Sequence, residues 1–141
     1  MLINLAKSNS KRRARINAHP SKDSDVHEMI IAFLKDSYIP PHRHHNKTES
    51  FHIIKGRLDV IFFDEDGHNK NRVELGDYTS GKPFYFRSTN RDWHTVLIKS
   101  DYVVIHETTE GPFDPNESEY ASWAPKESET LAVKNFLNRI V

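Results

Sequence analysis

The chain has 141 residues and a mass of 16.4 kDa, with 20 Lys+Arg against 20 Asp+Glu, nine His and no Cys. That length suits one ordinary domain with a real core, and a net charge of zero offers no basic footprint for nucleic acid. Without cysteine, disulfide frameworks, thiolate metal sites and cysteine nucleophiles are excluded, and a cytoplasmic setting fits.

The N-terminus, MLINLAKSNSKRR, places apolar residues before its charges, the reverse of a secretory signal. Residues 1–22 carry six cations (Lys7, Lys11, Arg12, Arg13, Arg15 and Lys22) and no acid, whereas residues 107–129 carry seven acids against Lys126. Two oppositely charged ends that lie near each other explain this, and so does a basic lining for an anion-binding mouth; the first is the plainer reading. The longest apolar run, Met29 to Leu34, has six residues, where a membrane span needs roughly 20. Around it, Val26, Met29, Ile30 and Phe33 have helical spacing, while Met29, Ile31 and Phe33 alternate like a strand, so periodicity alone leaves residues 26–34 open.

The middle of the chain reads as antiparallel β. Residues 50–54 and 57–63 flank Lys55-Gly56, a hairpin-type connection, and the second run closes at Asp64-Glu65-Asp66-Gly67. Further strands are expected at 72–75, 84–86, 95–99 and 102–108, with Gly, Asn, Asp or Ser between them. Many short strands separated by turns point to a sandwich or barrel. After Pro125 the pattern changes. Val133, Phe136, Leu137 and Ile140 repeat at helical intervals, with Glu127 and Glu129 near the start and Arg139 near the end, and this helix is expected to lay its apolar stripe on the β body or a partner subunit.

Four histidines crowd into PHRHHNKTESFHIIKG, residues 41–56. In an extended segment His42 and His44 point to one side and His45 to the other. After residues 45–48, a following strand can return Glu49 beside the pair, and two imidazoles with one carboxylate suit a divalent first-row ion. A further nitrogen is best sought at His94, which introduces a strand whose Val96 and Ile98 face the same interior. His45 and His52 are expected to lie outside the ligand set.

At these residues the sequence resembles the cupin superfamily, whose first motif runs His-x-His, three or four residues, Glu, six residues, Gly. His42, His44, Glu49 and Gly56 meet each spacing. Asp36 stands where that motif has a leading glycine, and the second motif retains His94 while Thr89, Arg91 and Ile98 replace its Pro, Gly and Asn. The stretch SYIPPHRHHNKTESFHIIKGRLDVIFFDEDG, the later DWHTV and the tail from EGPFDP to YASWAP together resemble the WbuC-type cupin-fold metalloproteins, as do Arg15, Asn17 and His19 upstream. The resemblance covers roughly residues 13–125.

It implies a mostly β chain: a single cupin jelly-roll β-barrel (25–125) with an N-terminal extension packing on it (1–24) and a C-terminal helix (126–141). Residues 28–34 then become a strand, and His42, His44, Glu49 and His94 hold one divalent ion per chain, Fe, Mn, Ni or Zn. It further implies a homodimer and a sugar or sugar-nucleotide metabolite of bacterial surface polysaccharide (O-antigen or capsule) biosynthesis. No membrane or nucleic-acid partner is expected.

A site of this kind permits isomerase or epimerase chemistry beside a sugar carbonyl, oxygenation by a small-molecule dioxygenase, or metal-dependent recognition without turnover by a binding or regulatory module. From alternation, Tyr38 and Pro40 are expected inward with His42, Phe51 and Ile53 inward after Glu49, Phe84 and Phe86 as apolar wall, and Tyr102 and His106 inward together. His106 and Tyr38 are therefore the catalytic candidates. Arg15, Asn17 and His19 form a rim or partner-facing group: Arg15 suits a substrate carboxylate or phosphate, and a salt bridge to the acidic tail explains it equally well. Trp93 and Trp123 are of a kind to stack on a sugar face, although ordinary packing explains both.

Overall fold

The computed structural model describes residues 1–89 and 91–141. A short helix α1 (Leu2–Ser8) leads into β1 (Arg13–Asn17), β2 (Val26–Leu34), β3 (His42–His44), β4 (Glu49–Lys55) and β5 (Arg57–Phe63). Next come β6 (Asn69–Gly76), β7 (Tyr85–Ser88), β8 (Trp93–Ile98), β9 (Tyr102–Glu110), β10 (Ser118–Tyr120) and the helix α2 (Thr130–Ile140). The strands form two five-stranded sheets, a first in the order β1-β2-β9-β4-β7 and a second in the order β10-β3-β8-β5-β6. All described pairs are antiparallel.

The residues 26–34 that periodicity left open are strand, paired along their length with β9 from Val26↔Glu110 to Leu34↔Tyr102. The expected jelly roll is thus present as two facing sheets. Where a barrel was expected, no ladder joins the sheets into a closed cylinder among the described residues. The border strands β1 and β7 of the first sheet pair with neither β10 nor β6 of the second among the described residues.

Between the sheets lies one apolar cluster that includes Met29, Ile31, Phe33, Phe51, Ile53, Leu58, Val60, Phe62, Val96, Ile98, Val103 and Ile105. Period-two alternation selects these residues, and their burial supplies most of the favourable free energy of the sandwich. Each outer face has its own cover. On the second sheet, Ile61, Phe63, Trp93 and Leu97 pack under Tyr38, Ala121 and the α2 residues Phe136 and Ile140. On the first, Ala32 and Leu34 pack with Ala6 of α1, joined by Tyr102 and Val104.

The two charged ends also meet. Lys11 and Arg13 reach Glu127 at 2.9 and 2.8 Å, which realises the plainer reading of the charge asymmetry for these two cations. No helix of the described residues is long and apolar enough to cross a membrane.

Gly56 sets the β4–β5 hairpin. Its φ is +88°, and a Cβ there would stand 2.3 Å from the Tyr102 carbonyl oxygen and 2.6 Å from Ser100 Oγ. Both backbone strain and a backbone collision therefore oppose any side chain. Gly56→Ala is expected to remove about 2 kcal/mol or more of stability, read by urea unfolding at unchanged m-value; a loss below about 0.5 kcal/mol would contradict this account.

Candidate metal centre

Strand β3 carries His42 and His44 on its inward face and sends Arg43 outward, where it pairs with Glu119 at 2.8 Å and lies 4.2 Å above the Trp93 ring. His94 opens β8 directly opposite His42. Cross-strand neighbours of this kind have Cβ atoms about 5 Å apart, and one nitrogen from each of His42, His44 and His94 lies within 4.8 Å of the others. Glu49 arrives from the facing sheet at the start of β4. Its Oε2 stands 3.3 Å from His44 Nε2 and its Oε1 2.9 Å from His94 Nε2.

The imidazoles are oriented from behind. The Nδ1–H of His42 donates to the Pro40 carbonyl at 2.9 Å, and that of His94 to the Asp92 carbonyl at 3.0 Å, leaving each Nε2 lone pair to face inward. His44 Nδ1 meets Ser118 Oγ of β10 at 2.9 Å. His94 and Glu49 are 3% and 5% exposed, yet His94 Nε2 and Glu49 Oε1 have no aligned hydrogen-bond partner. These two buried atoms stand 2.9 Å apart, beside the nitrogens of His42 and His44. The three imidazole nitrogens fit a divalent first-row ion held about 2.1 Å from each, and Glu49 borders two of them.

Burial and mutual contacts set the protonation of these groups in the metal-free chain. Burial, reinforced by His94, pushes His42 down to about 4 against the pull of Glu49, so its ring is neutral at physiological pH. Burial pushes the Glu49 carboxyl up, but His44 and His94 overcome that and hold it well below the usual carboxylate range. The same contact with Glu49 outweighs burial at His94 and raises it.

A cavity of about 200 Å³ opens onto these residues, walled by Ile31, Phe33, Phe51, Val96 and Ile105 and edged by Arg13, Arg15, Glu107 and Tyr120. A second, of about 260 Å³, continues outward past His44, Glu49 and Glu107 to Arg15, Asn17, His19, Lys22 and Lys47. The structure thus brings Arg15, Asn17 and His19 to one mouth above His42, His44, Glu49 and His94. Phe51 and Pro40 line the inner cavity as alternation predicts. Phe86 packs on Phe51, whereas Phe84 is 43% exposed and contributes no wall.

Other expected residues lie elsewhere. His106 faces outward from the first sheet, 3.3 Å from Glu28, and Tyr102 packs below α1. The inward phase of β9 is the opposite one, Val103, Ile105 and Glu107. Tyr38 is turned to the far side of the second sheet, where its hydroxyl donates to the Pro125 carbonyl at 2.8 Å and its ring meets Phe136. Trp93 is on that outer face too, its Nε1–H donating to Glu65 at 3.1 Å, and Trp123 packs against it. His45 lies 3.7 Å from Glu119, and His52 sits against Phe84 on the outer face.

Glu107 is the residue that sequence reasoning missed. It is an acid on the inward face of β9, following the apolar Val103 and Ile105, and an inward-phased β9 would have revealed it. Burial, then the charge of Glu49, pushes Glu107 up to about 7, with Arg15 and Lys47 pulling it partly back.

The family model described as a domain of unknown function, DUF6016, matches residues 1–75, and the chain belongs to that family. No curated protein shows significant similarity to it. Among solved structures, protein SO0799 from Shewanella oneidensis is similar at 12% identity and a TM-score of 0.61, over 84% of each chain. An L-ribose isomerase from Cellulomonas parahominis is similar at 13% identity and a TM-score of 0.61, covering 78% of this chain and 69% of that one. A cupin superfamily protein from Desulfitobacterium hafniense DCB-2 is similar at 12% identity and a TM-score of 0.52, covering 70% and 76%. At such identities the likeness is one of fold, a two-sheet jelly roll shared with a protein named as a member of the cupin superfamily.

Replacing His42 or His94 with Ala is expected to remove most bound metal, measured by elemental analysis, while His45→Ala and His52→Ala retain it. Equal loss in all four variants would overturn this ligand set. For metal-free protein, Glu107 binds its proton more tightly folded than unfolded, so its own contribution to stability falls as pH rises from about 4.5 to about 7. His94, also raised, adds a loss of the same sign at higher pH. Over the Glu107 window His42, held down to about 4, contributes a rise of similar size, so thermal unfolding between pH 5 and 7 is expected to be nearly flat in the native chain and to rise with pH in Glu107→Gln.

Proposed function

We propose that this chain is a WbuC-type metal-dependent enzyme that isomerises or epimerises a sugar or sugar-nucleotide metabolite of bacterial surface polysaccharide biosynthesis. His42, His44, Glu49 and His94 hold its divalent ion. The observation that carries the reading is the buried, misaligned approach of His94 Nε2 and Glu49 Oε1, flanked by two further imidazole nitrogens at the base of a cavity. The fold shared with a protein named as an L-ribose isomerase is consistent with carbohydrate chemistry. The motif resemblance adds the polysaccharide connection, a homodimer and a cytoplasmic setting.

Held by His42, His44, Glu49 and His94, a divalent ion would supply Lewis-acid polarisation of a substrate oxygen. The remaining work belongs to the chain. Glu107 presents a carboxyl to the same cavity and is the group placed to take a proton from one carbon and return it to a neighbouring position. Ile31, Phe51, Val96 and Ile105 keep bulk water from that exchange. Ser118 and the Pro40 and Asp92 carbonyls fix the imidazoles, so that their nitrogens converge without rearrangement.

The test is turnover by metal-loaded protein in heavy water with a panel of sugar phosphates and nucleotide sugars, followed by NMR and mass spectrometry. An isomerase or epimerase incorporates solvent deuterium at one carbon and changes its configuration or carbonyl position; Glu107→Gln keeps its metal and loses at least about 100-fold in rate. Oxygen uptake coupled to substrate loss would replace this reading with a dioxygenase. Binding without exchange or conversion would replace it with a recognition module.

A further inference from the structure

We propose that the outer cavity is an anion-binding subsite, and that the substrate carries a phosphate or carboxylate which seats there while its oxygen functions reach the inner cavity. The proposal deepens the metal-centre reading and rests on it for the position of the reacting end.

Three cations from three separate segments surround the outer cavity: Arg15 from β1, Lys22 from the β1–β2 connection and Lys47 from the β3–β4 connection. None has a carboxylate within ion-pair distance among the described residues, whereas Arg13, two positions from Arg15, is held by Glu127 at 2.8 Å and by the Tyr38 carbonyl at 2.8 Å. The Arg15 guanidinium meets the Met29 sulfur at 3.6 Å, a weak acceptor that leaves its other N–H donors to a ligand. Alternation on β1 puts Asn17 on the same face as Arg15.

His19 completes the lining. Its ring stacks on buried His27 with centroids 4.0 Å apart, and the Glu28 backbone occupies its Nδ1 at 3.1 and 3.2 Å. His19 Nε2 is the nitrogen left for a ligand. The two acids that line this cavity, Glu49 and Glu107, also line the inner one, so the outer rim carries cations and neutral donors alone. A divalent ion at the histidines would offset both carboxylates and leave the three rim charges uncompensated. Arg15 borders both cavities, so an anion on its guanidinium sits at the junction between them. The combined space, about 260 and about 200 Å³, is of the order that single small molecules occupy.

The test is calorimetric titration of metal-loaded protein with glucose 6-phosphate, glucuronate, inorganic phosphate and neutral glucose. At least one anion is expected to bind ten times or more tighter than glucose, weakening with added salt. The phosphate and carboxylate arms identify which anion is preferred. Arg15→Gln and Lys47→Gln are each expected to cost that anion about tenfold, with metal content and glucose binding unchanged. Failure of every anion to bind better than glucose, or equal anion binding by the Arg15→Gln, Lys47→Gln double variant, would overturn the subsite. The metal reading fails separately: native protein that takes up no ion, yet binds the anion through Arg15, would sink the metal centre and leave the subsite standing.

Discussion

The distance between the two sheets is the quantity on which the candidate centre depends. Three imidazoles belong to one sheet and Glu49 to the other, so their convergence is set by how far apart the sheets stand. Packed sheets lie about 10 Å apart, a spacing fixed by interdigitating side chains. Here the apolar cluster from Met29 to Ile105 holds that spacing at one end, and the histidines and carboxylates occupy the other. A buried carboxylate is costly unless it is compensated, and His44 and His94 provide that compensation for Glu49. Core packing and site chemistry are therefore one mechanical problem.

Much of this is legible in the sequence. The strand at residues 57–63 coincides with β5, and the His-x-His spacing places His42 and His44 on one face because β3 is extended. His94 was identifiable from the alternation of Val96 and Ile98 behind it, and β8 continues that face into the core. Tyr102, Val104 and His106 were the harder matter. Both phases of β9 contain large apolar residues, because Val103 and Ile105 fill the interior while Tyr102 and Val104 lie under α1. Burial on two faces erases the period-two pattern, and the phase error displaced Glu107 in favour of His106. The same effect explains Tyr38 and Trp93, which α2 and the chain before it cover on the outside of the second sheet.

β1 was illegible for the opposite reason. Its inward residues Arg13, Arg15 and Asn17 are polar, because the strand borders the open end of the sandwich where the cavities lie. Hydrophobic alternation has nothing to register there. The basic character of the N-terminal segment was visible, and the structure divides it: Lys11 and Arg13 tie down the chain through Glu127, while Arg15 faces the cavity. Ser118, which orients His44, sits in an acid-rich tail that gave no hint of a role.

The sandwich has four border strands, β1 and β7 on one sheet and β10 and β6 on the other. Each is poorly suited to recruiting another chain through its backbone. β10 has three residues and β7 four; β6 begins Asn-Lys-Asn-Arg, and β1 carries two arginines. Short or cationic borders are how soluble sheets resist lateral stacking into aggregates. Two copies of this chain would therefore have to meet through side chains on a flank, and concentrated solutions should resist fibre-like growth by strand addition.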